Sequence, residues 1–167
     1  MFKKIILVAA SAAAFSTPAH AAPSSATASG DATATVVSPI TLDHDSGAVL
    51  AFGSFSAGTG GTVVVNRNGR GSVTGDVSFV AASTNSADSF TVGGQADTAF
   101  SISTTDSTVS TGGTTPSTMD FTTNAPAKGT LDSSGAATFT VGGTLTVGAS
   151  QAPGSYTGTY DATVTYN

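Results

Sequence analysis

The chain contains no cysteine, no tryptophan and no glutamate. Without cysteine there is neither a disulfide framework nor thiol chemistry, so packing and strand pairing must supply the stability. Without glutamate, and with little lysine or methionine, the best helix formers are nearly missing, and no stretch after residue 21 has helical periodicity. Histidine is scarce too: beyond residue 21 only His44 remains, with Lys128 as the single lysine. Acid–base catalysis relies on such groups, and no G-x-S-x-G elbow holds a serine nucleophile. The sequence therefore predicts no catalytic residues, no cofactor and no metal.

Positive charge is sparse, and two of the five basic residues stand at the start. Lys3 and Lys4 precede an apolar run from Ile5 to Ala14, Thr17 and Pro18 break it, and Ala19-His20-Ala21 offers small residues for cleavage. This is the layout of a secretory signal peptide over residues 1–21. The run is shorter than the roughly 20 residues that span a bilayer, and no comparable run follows, so no transmembrane segment is expected once the signal is removed. An exported protein of the periplasm, cell surface or extracellular space is predicted. Cleavage after Ala21 leaves 146 residues with three basic groups (Arg67, Arg70 and Lys128) against ten aspartates, a net charge of −7. Such a chain repels phosphate backbones, which argues against nucleic acid as a partner. Its length suits one domain.

What remains abundant is glycine, serine, threonine and valine, ordered with a period of two. Tyr156, Gly158, Tyr160, Ala162, Val164 and Tyr166 share one parity, and threonines fill most of the other. Side chains alternate across a strand, so this predicts a strand with one apolar and one threonine face. Phe139, Val141, Leu145 and Val147 predict a second strand, kinked at Gly142-Gly143. Phe90 with Val92 and Phe100 with Ile102 predict two more, and Val73, Val77 and Phe79 share parity as well. Val63 to Val65 reads as a short strand buried on both faces. Asn68-Gly69 is a hairpin signal. Ser133-Ser134-Gly135 and Gly58-Thr59-Gly60-Gly61 mark further turns, whereas Thr104 to Thr118 reads as a long loop or weak edge strand. Turn signals every 8–12 residues or so suit a sandwich or barrel. Phe90-Thr91-Val92-Gly93-Gly94 recurs as Phe139-Thr140-Val141-Gly142-Gly143, read as similar strand ends within one sandwich.

Two clusters invite a chemical reading. Asp43-His44-Asp45-Ser46-Gly47 is either a metal site or a polar turn in which Gly47 supplies positive φ; the calcium-loop pattern is not met, so the turn is favoured. Gly58-Thr59-Gly60-Gly61 precedes a valine strand, not the helix that a phosphate-binding loop needs.

The tail Gly154-Ser155-Tyr156-Thr157-Gly158-Thr159-Tyr160-Asp161-Ala162-Thr163-Val164-Thr165-Tyr166-Asn167 resembles the last strand of chaperone–usher pilus subunits, most closely the spore-coat-U-like (archaic) branch. The whole mature chain, with Val37-Ser38-Pro39-Ile40, Phe52-Gly53 together with Gly58-Thr59-Gly60-Gly61, and Gly142-Gly143-Thr144-Leu145, is similar to a family of small secreted bacterial β-proteins of unassigned function. The resemblance implies an all-β fold: an immunoglobulin-like, pilin-like antiparallel β-sandwich over residues 32–167, in which the final strand can be missing. It further implies assembly by donor-strand addition, either with copies of itself as a homopolymer or with a periplasmic chaperone and usher. Tyr156, Tyr160, Val164 and Tyr166 would then form the chaperone or subunit contact.

Residues 22–31 are read as an N-terminal extension. From Ala22 onward, Ala26, Ala28, Gly30, Ala32, Ala34 and Val36 alternate with Ser25, Thr27, Ser29, Asp31, Thr33 and Thr35. Fifteen such residues reach about 50 Å. Two readings stand: a donor strand presenting Ala26, Ala28, Ala32 and Ala34, or a leader running into a first strand near Ala32. Three function classes follow: a non-enzymatic structural or surface subunit, an exported carbohydrate- or protein-binding module, and, least favoured, an enzyme.

Overall fold

The computed structural model describes residues 25–167, so the expected signal peptide and residues 22–24 lie outside the described residues. The described residues fall into two units divided between Thr35 and Val36. In the first, Ser25 to Thr35 is exposed and carries no strand. No strand begins near Ala32; the first is β1 (Thr41–His44). Pro39 explains part of the delay, since it lacks the N–H that a strand ladder needs.

The second unit is all-β, with twelve strands, every pairing antiparallel and no helix. Its longest strand is the Phe139 stretch, β11 (Ala136–Val147). The first half of β11 pairs with β6 (Asp88–Gly93), which also pairs with β1. Its second half pairs with β3 (Gly61–Val65) and with β9 (Thr118–Asn124). The change of partners falls at Gly142-Gly143, where the kink was expected. A Cβ at Gly142 would run into the carbonyl oxygen of Val65, so only glycine lets β3 come this close. The two echoed segments prove to be partners, with Phe90 directly opposite Phe139 and their rings stacked 5.3 Å apart.

The Asn68-Gly69 signal makes the hairpin between β3 and β4 (Gly71–Gly75), with Gly69 at φ +76°. β8 (Ser107–Ser110) pairs with β9 on the edge of the same sheet, which accounts for the weak strand within Thr104 to Thr118. A second sheet holds β10 (Lys128–Thr130), β7 (Ala99–Thr104) and β12 (Ala162–Tyr166) in that order. A short ribbon joins β2 (Phe55–Ser56) to β5 (Ser78–Phe79).

The sheets face each other across a shared core, which is what makes the unit a sandwich. Phe90, Val92, Phe139 and Val141 from one sheet meet Phe100 and Ile102 from the other, with Leu131 among them. Burying this apolar surface is the main stabilising term, at roughly 25 cal/mol per Å². A second core cluster groups Val63, Val77, Met119, Phe121, Leu145 and Val147. The outer face of the large sheet is hydroxyl-rich: Thr122, Thr144 and Ser72 lie in one cross-strand row and Thr146, Thr62 and Thr74 in the next. Val64 interrupts the first row half-buried, so the valine run is not buried on both faces as expected; only Val63 and Val65 enter the core.

The carboxyl end departs most from its periodicity. A single strand from Tyr156 to Tyr166 was expected, but the strand is only Ala162–Tyr166, paired with β7. Earlier, Thr157 bridges to Ser110 on β8, in the other sheet. The segment thus crosses from one sheet to the other and cannot stay one ladder. Gly158 permits the first contact, since a Cβ there would strike the Thr108 carbonyl oxygen.

Candidate functional site

Two segments, one between β1 and β3 and one between β11 and β12, bound a slot. One wall is Ala48 to Ala57, and the other is Gln151 to Tyr160. Between Gln151 and Tyr160 the backbone pairs with other backbone at Thr157 alone, which exchanges two bonds with Ser110 at 2.9 Å. In the first wall, Ala51 exchanges two bonds with Ser86, Ser54 accepts from Val80, and Phe55-Ser56 pairs with β5. None of these bonds joins one wall to the other. Side chains take further backbone groups of the first wall: the Phe52 carbonyl accepts from Asn85 Nδ2 at 2.7 Å, the Val49 carbonyl accepts from the Ser86 hydroxyl at 2.6 Å, and Ser54 N–H donates to the Ser83 hydroxyl at 2.9 Å.

The space between and around the walls is about 1220 Å³. Its floor is Met119, Phe121 and Leu145, each at most 5% exposed beneath the walls, while Leu50, Phe52, Phe55 and Tyr156 on the walls are only half-buried. Phe52 and Phe121 meet edge to face at 5.9 Å. At one end Ser150 N–H donates to the Gly58 carbonyl at 3.3 Å. At the other end a polar cluster crosses the floor. Asp88 is the one buried charged side chain among the described residues, at 5% exposure. Its Oδ1 lies 2.7 Å from His44 Nε2 and accepts from Ser89 N–H at 2.9 Å. Its Oδ2 accepts from the Tyr160 hydroxyl at 2.7 Å. Burial, then the hydrogen bond and charge of Asp88, push the Tyr160 hydroxyl well above its ordinary pKa.

The expected site residues divide. Tyr156 and Tyr160 line the slot, both half-buried; the Tyr156 hydroxyl accepts from Gln151 Nε2 at 2.9 Å and donates to the Ala152 carbonyl at 2.7 Å. Val164 and Tyr166 lie on β12 and pack into the first core cluster instead. The Tyr166 hydroxyl accepts from Gln95 N–H at 2.6 Å and donates to the Ser38 carbonyl at 2.9 Å, closing that end of the sandwich. Ala26, Ala28, Ala32 and Ala34 are exposed and belong to no strand.

The Asp43-His44-Asp45 cluster is a strand end running into a turn. Asp43 and His44 belong to β1, and the turn closes through Ala48 N–H to the Asp45 carbonyl at 3.0 Å with Gly47 at φ +80°. The Asp45 carboxylate accepts the Ser89 and Thr91 hydroxyls, which hold it below the usual carboxylate range. No three acidic or histidine side chains converge on one point among the described residues.

Sequence reasoning missed Phe52, Met119, Phe121 and Asp88 as slot residues. Each lies far along the chain from its neighbours there, and Asp88 is 72 positions from Tyr160. The available signal was Asp88 at a core-facing position of the strand that carries Phe90 and Val92.

Residues 40–166 match the family described as "Domain of unknown function (DUF4402)". Neither a curated protein nor a solved structure matches the chain.

Proposed function

We propose, from the premise that this chain belongs to the DUF4402 family of domains of unknown function, that it is an exported, non-enzymatic structural protein that accepts an added β-strand between the two walls of the slot. The observation that carries this reading is the slot: two walls without backbone bonds to each other, lying over an apolar floor. An extended segment laid between them would add backbone bonds to both walls and bury Phe52, Phe55 and Tyr156. The pilin-like expectation, with Tyr156 and Tyr160 at a chaperone or subunit contact, is compatible with this geometry. Val164 and Tyr166 act in the core under this reading.

The test compares Ala22–Asn167 with a form lacking Ala22–Asp31, both secreted and purified, by negative-stain electron microscopy and by SDS gel without boiling. Fibres or a heat-sensitive ladder from the longer form alone support assembly through the leader. Stable monomers from both forms remove self-assembly. The concavity of the slot favours one second reading, an exported binding module that stays monomeric with its ligand in the slot.

A further inference from the structure

The hairpin between β3 and β4 carries two of the three basic residues found after residue 21, Arg67 and Arg70. The one ion pair among the described residues is His44 with Asp88, so both guanidinium groups stand free of the ten aspartates. Asn66 fixes the hairpin tip. Its Oδ1 accepts from Asn68 N–H at 2.9 Å and from Arg70 N–H at 3.1 Å, and its carbonyl accepts from Gly69 N–H at 2.9 Å. The tip lies against the segment that enters β6: a Cβ on Gly69 would come within 3.3 Å of Ala87 N and 3.6 Å of Ser86 Cα.

Between the tip, that segment and β11 is a recess of about 380 Å³, which shares no residue with the slot. Arg67 and Asn68 line it from the tip, Asn85 and Ala87 from the segment before β6, and Thr140 from β11. It lies on the face of β11 turned away from the core, because Thr140 stands between the buried Phe139 and Val141. Several polar groups there are unengaged. The Asn68 side-chain amide, the Thr140 hydroxyl and the Ala87 N–H have no hydrogen-bond partner among the described residues. Asn85 is anchored by Nδ2 on the Phe52 carbonyl at 2.7 Å, which leaves its Oδ1 free to accept. No aromatic ring lines the recess, so a neutral sugar would find nothing to stack on.

We infer that this recess binds an acidic sugar, with its carboxylate on Arg67 and its hydroxyls on Asn68, Asn85 and Thr140. A planar guanidinium takes a carboxylate through two parallel N–H···O bonds. Amide and hydroxyl groups donate and accept, as the neighbouring hydroxyls of a sugar ring require. The recess has more room than an inorganic anion fills and stands at the small end of ligand-site volumes. Asn66 already braces the tip, so binding costs little ordering. A chain of net charge −7 after residue 21 repels anions at long range, which confines binding to the place where basic charge gathers. Affinity is therefore modest and falls with salt.

The experiment titrates the full secreted chain, Ala22–Asn167, with galacturonate, galactose and inorganic phosphate in turn, followed residue by residue by NMR. Galacturonate should shift the Asn68, Gly69, Ala87 and Thr140 amides saturably, and added salt should weaken it. Galactose and phosphate should each bind at least about tenfold more weakly. Arg67→Gln, at an exposed position, should weaken galacturonate by at least about tenfold. Arg67→Lys keeps the charge without the planar fork and should weaken it by at least about threefold. Equal binding of galactose, or unchanged affinity in either Arg67 variant, overturns the inference. Equal binding of phosphate at the same amides overturns it in favour of a simple anion site. Equal weakening by Arg70→Gln overturns it as general charge attraction. Absence of a saturable shift up to about 100 mM galacturonate overturns it outright. None of these outcomes bears on the slot, whose reading stands or falls separately.

Discussion

The Tyr160 hydroxyl donates to the buried Asp88 carboxylate across 2.7 Å, tying the second wall to the floor beneath it. The same carboxylate holds His44. The second wall and β1, which leads into the first wall, are therefore braced at this end through one side chain. Replacing Tyr160 with Phe leaves that oxygen of Asp88 without this donor. Tyr160→Phe should lower stability by about 1–3 kcal/mol, read by urea denaturation with an unchanged m-value.

The raised ionisation of Tyr160 sets a pH dependence. The folded-state pKa lies above the unfolded one, so this contribution is fully present below about pH 10 and is lost as pH climbs toward the folded value. An alkaline absorbance titration of the native chain should leave Tyr160 un-ionised until unfolding, and Tyr160→Phe should abolish that late step.

At the acid end the sign reverses. Asp45 is held down by the Ser89 and Thr91 hydroxyls, and Asp132 by the Ser134 hydroxyl, then the Ala136 and Ser134 backbone N–H groups. Both contribute stability above their unfolded pKa and lose it as pH falls through the lower folded value. Thermal melts should drop below about pH 4, and Asp132→Asn should flatten that drop.

Gly142 offers a test of the strand crossing. Gly142→Val drives a side chain into the Val65 carbonyl and should cost about 3 kcal/mol or prevent soluble folding. Gly30→Ala meets nothing within 4 Å and should change stability by less than about 0.5 kcal/mol. Equal tolerance at both positions would contradict the close packing of β3 on β11.

Much of the fold was legible because strand periodicity is local. Phe90 with Val92, Phe100 with Ile102, and Phe139 with Val141 announced core-facing strands, and Asn68-Gly69 announced its hairpin. Less legible was where a strand changes partners. Tyr156 to Tyr166 keeps its parity throughout, yet Thr157 serves one sheet and Val164 the other, a choice made by contacts with Ser110 and Ile102 far away in sequence. The same holds for the slot. Tyr156 and Tyr160 could be read from the tail, whereas Phe52, Phe121 and Asp88 join them only through the fold. Val64 was misjudged because a short valine run looks alike whether one face or both are buried.

The most direct test of the central claim is backbone amide hydrogen exchange, residue by residue, on the purified monomeric chain and on the same chain taken from its assembled or partner-bound state. The account predicts fast exchange in the monomer across Ala48–Ala57 and Gln151–Tyr160 except at Ala48, Ala51, Ser54, Ser56 and Thr157, slow exchange in β6 and β11, and strong new protection of both walls in the bound state. Slow exchange along both walls of the isolated monomer, unchanged on assembly, would contradict it.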